Sequence, residues 1–102
     1  MTGVIVTVQL RLKPEAVEAF CRDMPRKIDV TATRPGFLGI RVVRHQDEPT
    51  SFMLIENWAS VAAFYDYVAW RNSRGEMGGL QAALDGEMSV EVWSGLIASA
   101  GG

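Results

Sequence analysis

Tyr67, Trp70, Arg71 and Arg74 are separated by three, four and seven residues. On a helix at about 100° per residue this places one phenol, one indole and two guanidinium groups in a single narrow sector. Such a set suits a pocket for a flat anionic or phenolic ligand, with aromatic faces against its ring and positive groups at its oxygen. The competing reading makes Trp70 a cap on the core and leaves Arg71 and Arg74 solvated or paired with acidic neighbours. Upstream, Glu56-Asn57-Trp58-Ala59-Ser60 and then Phe64 and Tyr65 concentrate aromatic and amide groups where an apolar strand gives way to a helix. Asn57, Trp58 and Phe64 therefore join Trp70 and Arg74 as candidate substrate contacts, although an aromatic ending a strand commonly packs under the helix that follows. Strand alternation sends Asn57 and Trp58 to opposite faces unless a bulge intervenes.

Tyr67, Arg71 and His45 are the candidate catalytic groups. His45 is the only histidine, hence the one side chain whose unperturbed pKa lies near neutrality and the default general base. Its place just after a strand equally suits a surface loop. Asp66 and Glu56 read as a solvated helix charge and a paired strand-end carboxylate. The chain has no Gly-rich phosphate loop and no His/Cys/Asp cluster at metal spacing, so neither a cofactor nor a metal is expected. Cys21 stands alone, which leaves no internal disulfide or zinc knuckle; on a helix near Phe20 and Met24 it reads as a buried small apolar residue.

Ten basic and twelve acidic residues give a net charge of −2, without the Lys/Arg excess that binding nucleic acid requires. The start, Met1-Thr2-Gly3 followed by Val4 to Leu12, lacks a positive leader and is interrupted by Gln9 and Arg11, so neither a signal peptide nor a membrane span is expected and the cytoplasm is the expected compartment. With 102 residues, 48% hydrophobic and 22% charged, the whole span 1–102 reads as one globular domain. A domain of this size buries only about 65% of the surface its unfolded chain exposes, so a partner subunit would help it.

The elements that must position these groups follow from periodicity. Val4, Val6, Val8, Leu10 and Leu12 alternate as one face of a first strand. Pro14 suits a helix start, and Val17, Phe20, Cys21, Met24 and Ile28 recur at helical spacing; Pro25 within that run predicts a kink near Cys21 to Pro25 or two shorter helices. After the Pro35-Gly36 turn come a second strand, Phe37 to His45, a polar hairpin loop over residues 46–50, and a third strand, Ser51 to Trp58. Ser60 can cap a helix with Val61, Phe64 and Val68 as its core stripe. Met77, Leu80, Ala83 and Leu84 keep helical spacing beyond Gly75, the Asp85-Gly86 pair turns the chain, and a last strand runs from Met88 to about Ile97. This strand-helix-strand-strand-helix-strand order predicts an α+β, ferredoxin-like, four-stranded antiparallel sheet with its helices on one face. Ile5, Phe37, Val43, Met53, Ile55, Trp93 and Ile97 fall opposite Val4, Leu38, Ile40, Leu54 and Val90. Both faces thus look apolar, and a homodimer with sheets packed face to face is expected.

Several short motifs resemble the antibiotic biosynthesis monooxygenase family of dimeric α+β barrels. They are Val-x-Leu-x-Leu-Lys-Pro-Glu from Val8 to Glu15, Arg-Pro-Gly-Phe-Leu-Gly from Arg34 to Gly39, Glu56-x-Trp58-x-Ser60, and Ala63-Phe64. The resemblance covers nearly the whole chain and implies a monooxygenase-like domain. Members oxidise aromatic polyketides or quinols, degrade heme, isomerise small metabolites or have no known activity. Oxidation without a cofactor needs only a dry aromatic pocket, a base and groups that hold an anion, because an ionised phenol or quinol can itself pass an electron to oxygen. The resemblance therefore implies a small aromatic ligand of phenolic, quinol or polyketide type. A non-catalytic binding protein and a cofactor-free isomerase or cyclase are the alternatives. Many members carry a His where Tyr67 stands, three residues after the helix Phe, and polyketide oxidisers carry an Asn where Leu54 stands. Heme is not expected, since His45 lies off this helix.

Overall fold

The computed structural model describes residues 3–101; Met1, Thr2 and Gly102, the ends of the span read as one domain and of the stretch read for a leader, lie outside it. The order is β1 (Val4–Arg11), a single 3-10 turn (Pro14–Ala16), α1 (Val17–Thr31), β2 (Phe37–Arg44), β3 (Ser51–Trp58), α2 (Val61–Ser73), α3 (Met77–Ala83) and β4 (Ser89–Trp93). The strands form one antiparallel sheet in the order β2-β3-β1-β4. This is the ferredoxin-like α+β fold expected from the element order.

The core lies between the sheet and α1 and α2. Val6, Val8 and Leu10 point to it from β1, Leu12 from just beyond its end, and Phe52 and Trp58 from β3, where they meet Phe20 of α1 and Phe64 of α2. Phe20 and Phe52 pack with ring centroids 4.7 Å apart. Trp58 is 0% exposed and sits among Phe37, Phe64 and Tyr67, at centroid distances of 5.6, 6.2 and 5.0 Å. It is the hub that joins the end of β3 to α2.

Five expectations are corrected. Helix α1 runs without a break through Pro25. The carbonyl of Cys21, deprived of its hydrogen bond by the proline, lies on the solvent side with Cys21, Arg22, Pro25 and Arg26, all exposed, where water can satisfy it. For the same reason Cys21 is exposed rather than buried. In β2 the register shifts between Phe37 and Gly39. This bulge turns Phe37 inward, edge-on to Trp58, and leaves Leu38 49% exposed, the reverse of simple alternation. Strand β4 ends at Trp93, opposite Ile5, because Gly95 at φ +108° bends the chain away; Ile97 is fully exposed. Val61 is likewise exposed, so the inward stripe of α2 is Phe64, Tyr67, Val68 and Arg71.

Two local devices fix where α2 lies. Ser60 caps it by accepting from the Ala63 amide at 3.1 Å. The turn before β2 presses against it at Gly36, whose φ is +82° and where a Cβ would lie 2.5 Å from the Ala63 Cβ. Only glycine meets both demands.

Candidate functional site

A cavity of about 320 Å³ opens between the helix side of the sheet and helices α1, α2 and α3. Val8, Leu54, Phe64 and Val68 give it an apolar floor and wall, and Met77 and Leu80 of α3 close one side. Val90 and Tyr65, also in its lining, are 45% and 58% exposed, so the cavity is open to solvent.

Its polar groups are few and organised. Arg71 Nε donates to the Tyr67 hydroxyl at 3.1 Å, and that hydroxyl is 3.1 Å from Thr31 Oγ1. Thr31 Oγ1 donates to the Lys27 carbonyl at 3.0 Å and accepts from Arg71 Nη2 at 3.0 Å. Arg71 Nη1 pairs with Glu76, which also holds Arg74. One consistent proton arrangement runs Arg71 to Tyr67 to Thr31 to the Lys27 carbonyl. In it the Tyr67 hydroxyl accepts from Arg71 and donates to Thr31, and the donation from Arg71 makes that phenol a stronger donor.

Electrostatics follow from the pairing. Burial works against the Arg71 charge, but hydrogen bonds with Tyr67 and Glu76 and attraction to them offset it, holding its pKa above the ordinary value. The hydrogen bond from Arg71, and then that from Arg74, keep the Glu76 carboxyl below the usual carboxylate range. Glu76 thus ties the start of α3 to the end of α2 beside the cavity.

The second ionisable feature of the cavity is Glu56. Simple alternation along β3 puts it on the inner face with Phe52, Leu54 and Trp58, between Val6 of β1 and Ile40 of β2. It is 4% exposed and lines the cavity. Among the described residues no Lys or Arg forms an ion pair with it, and its hydrogen-bond partner is the Trp58 indole, donating Nε1–H to Oε1 at 2.9 Å. Burial raises its pKa, and the indole hydrogen bond partly counters that rise. The expected paired strand-end carboxylate is therefore corrected to a buried carboxyl without a cation. The signal was present in sequence, since Glu56 is the one charged residue in an otherwise apolar alternating set.

The helical sector read from sequence is divided. Tyr67 and Arg71 line the cavity, as does Phe64, whereas Trp70 and Arg74 do not. Trp70 instead packs against the guanidinium groups of Arg34, 4.1 Å from its ring centre, and Arg74, at 4.7 Å. Arg74 is the C-cap of α2 and turns to Glu76, so the helix geometry that would align it with Tyr67 ends there. Trp58 lies beneath the cavity wall, as an aromatic that packs under the helix. Asn57 is on the opposite face of the sheet, beside Ile5 and Gly39. His45 is in the β2–β3 hairpin, where its Nδ1 accepts from the Asp47 and Glu48 amides at 3.0 and 3.1 Å. It lines a separate shallow groove with Arg11 and Glu48. Among the described residues no group of three or more His, Cys, Asp and Glu could hold a metal ion, and no helix is long and apolar enough to cross a membrane.

The sequence model described as antibiotic biosynthesis monooxygenase matches residues 3–75, more than half of the chain. No curated protein sequence matches it. Among solved structures, a conserved protein from Methanosarcina mazei Go1 is 19% identical over 91% of this chain and 92% of that one, with a TM-score of 0.81. A structure titled antibiotic biosynthesis monooxygenase is 22% identical over 91% and 98% of the two chains, with a TM-score of 0.79. SnoaB, a cofactor-independent oxygenase from Streptomyces nogalater, is 19% identical over 97% of this chain and 100% of its own, with a TM-score of 0.77. At these identities the likeness is one of fold.

Proposed function

The chain belongs to the antibiotic biosynthesis monooxygenase family, and on that premise we propose that it is a cofactor-independent monooxygenase acting on a small phenolic, quinol or polyketide-like aromatic. The observation that carries this reading is the apolar cavity with a phenol and a guanidinium, Tyr67 and Arg71, coupled at one wall. Its volume of about 320 Å³ lies at the small end of the ~300–1,000 Å³ range of ligand pockets, which suits a compact fused-ring ligand.

In the proposed reaction a phenol O–H loses its proton, and the resulting anion passes one electron to dioxygen. The carbon radical and superoxide join through a new C–O bond at a ring carbon ortho or para to the oxygen. Loss of the proton on that carbon and cleavage of the O–O bond then give a quinone and one water, so that one phenol and one O2 become one quinone and one H2O. The apolar walls exclude bulk water, and Tyr67, activated by Arg71, hydrogen-bonds the anion as it forms. His45, held in the hairpin by two backbone amides, is set aside as the base in this reading.

Oxygen consumption and product mass, measured with purified protein, a naphthol or anthrone, and a chelator, test the proposal. Quinone formed one-for-one with oxygen consumed supports it. No product under oxygen, or the same turnover without oxygen, overturns it, the second outcome indicating an isomerase or cyclase. Stabilisation by the ligand without turnover indicates a binding protein.

A second copy of the chain is proposed to cover the outer face of the sheet. Leu38, Val43 and Trp93 on that face are 49%, 47% and 51% exposed, and Ile5, Met53 and Ile55 lie between them in the register. An apolar face of this kind favours sheet-to-sheet packing.

A further inference from the structure

Resting on the monooxygenase reading, we propose that Glu56 is the proton acceptor of the cavity, with Trp58 as its positioning residue, and that this pair selects neutral ligands bearing an acidic O–H over ligands that arrive as anions. Glu56 is a carboxyl set in an apolar wall, flanked across the sheet by Val6 and Ile40. One oxygen is fixed by the Trp58 indole at 2.9 Å; among the described residues none hydrogen-bonds the other oxygen, Oε2. A carboxyl held in a single orientation beside a cavity, with one oxygen fixed and the other unengaged, has the geometry of a general base for a ligand donor. Trp58 in turn is fixed by its packing against Tyr67, at 5.0 Å between ring centres. The acceptor and the anion-holding phenol are therefore built on one rigid aromatic support.

The charged and titratable groups facing the cavity from the packed elements are Lys27 of α1, Tyr65, Tyr67 and Arg71 of α2, and Glu76 ahead of α3. Arg71 is committed to Tyr67, Thr31 and Glu76, and no cation pairs with Glu56 among the described residues. Once Glu56 is ionised, a ligand that enters as a carboxylate or sulfonate is repelled by a carboxylate that no Lys or Arg neutralises in an ion pair. A neutral phenol instead donates its hydrogen bond to Oε2. In the chemical step the ligand O–H breaks, its electron pair stays on the ligand oxygen, and the proton forms a bond to Oε2. That proton is given back to the hydroxide released when the O–O bond breaks, which leaves as water and restores the carboxylate.

Affinities of 2-naphthol and 2-naphthoate, measured from tryptophan fluorescence across the full pH range in which the chain stays folded and with oxygen excluded, test the site without requiring turnover. For the native chain the 2-naphthol affinity is expected to rise with pH as Glu56 ionises, and that of 2-naphthoate to fall. In Glu56→Gln, which retains the shape and an acceptor for the Trp58 indole, both affinities are expected to be flat with pH. Glu56→Asp, which retains the charge, is expected to keep a pH dependence. Under oxygen, Glu56→Gln is expected to lose about 100- to 10,000-fold in kcat, with KM changed much less, and Trp58→Phe to shift the pH profile of kcat/KM upward. Unchanged turnover in Glu56→Gln, or 2-naphthol affinity that is pH-independent or undetectable in the native chain, overturns the assignment. Lack of turnover with pH-dependent binding removed by Glu56→Gln overturns the oxygenase reading alone.

Discussion

Replacing Trp58 by Phe should destabilise the protein by an amount that depends on the ionisation of Glu56. Trp58 is fully buried, and the smaller ring leaves a void worth about 1–2 kcal/mol on the scale of large-to-small core changes. It also deletes the Nε1–H donor of the 2.9 Å bond to Glu56. A hydrogen bond to a charged group contributes about 1.5–3 kcal/mol and one between neutral groups about 0.5–1.5 kcal/mol. With Glu56 ionised the total is therefore about 2.5–5 kcal/mol, a large share of the ~5–15 kcal/mol that holds a domain together. With Gln at position 56 the same change should cost about 1.5–3.5 kcal/mol, which leaves a coupling of about 1 kcal/mol between the two side chains.

The pH dependence has a definite sign. Burial raises the Glu56 pKa in the folded state, so its contribution to stability is complete below the unfolded value of about 4.3 and is lost as pH rises through the folded value. Denaturant melts of the native chain, Glu56→Gln, Trp58→Phe and the double variant measure these quantities. Native stability should fall with pH across that window relative to Glu56→Gln, and the coupling should be present at a pH above the folded value and vanish at one below the unfolded value. A coupling of zero at both pH values, or one that grows on acidification, would refute the picture of an indole holding a buried carboxylate.

Three further outcomes are expected. Glu76→Gln should loosen the junction of α2 and α3: the depressed pKa of Glu76 contributes stability above its unfolded value that is lost as pH falls through the folded one, so faster amide exchange over residues 75–84 should appear at neutral pH and not in strong acid. Gly36→Ala meets both a φ of +82° and a 2.5 Å approach to Ala63, and should cost about 2–4 kcal/mol from backbone strain and overpacking together, read as a lower denaturation midpoint. Met53→Lys places a charge at the middle of the outer face, beside Gln9 and Val43; sedimentation should show at least ~100-fold weaker self-association than the native chain, the effect of roughly 3 kcal/mol, while a native chain that is monomeric at high concentration would remove the proposed dimer.

The sequence by itself determined the element order and hence the fold. Alternation at Val4 to Leu12 and Ser51 to Trp58, the Pro35-Gly36 turn and the Ser60 cap are local signals, and each is read from neighbours a few residues away. The inward direction of Glu56 was equally legible, because period-two alternation alone puts it beside Leu54 and Trp58. What alternation could not say is whether a cation waits opposite it. That depended on Val6 and Ile40, residues from two other strands set beside it by the sheet register. The partition of the α2 sector was likewise beyond a helical wheel. Tyr67 and Arg71 became one network through Thr31 and the Lys27 carbonyl of α1, and Arg34 from the turn before β2 took the face of Trp70. Cys21 and Phe37 moved for reasons of the same kind, the one placed on the solvent side of α1 with Pro25, the other turned inward by a bulge against β3. Periodicity assigns a side chain to a face, but burial, pairing and ionisation depend on what the rest of the chain brings to that face, and only the tertiary structure decides that.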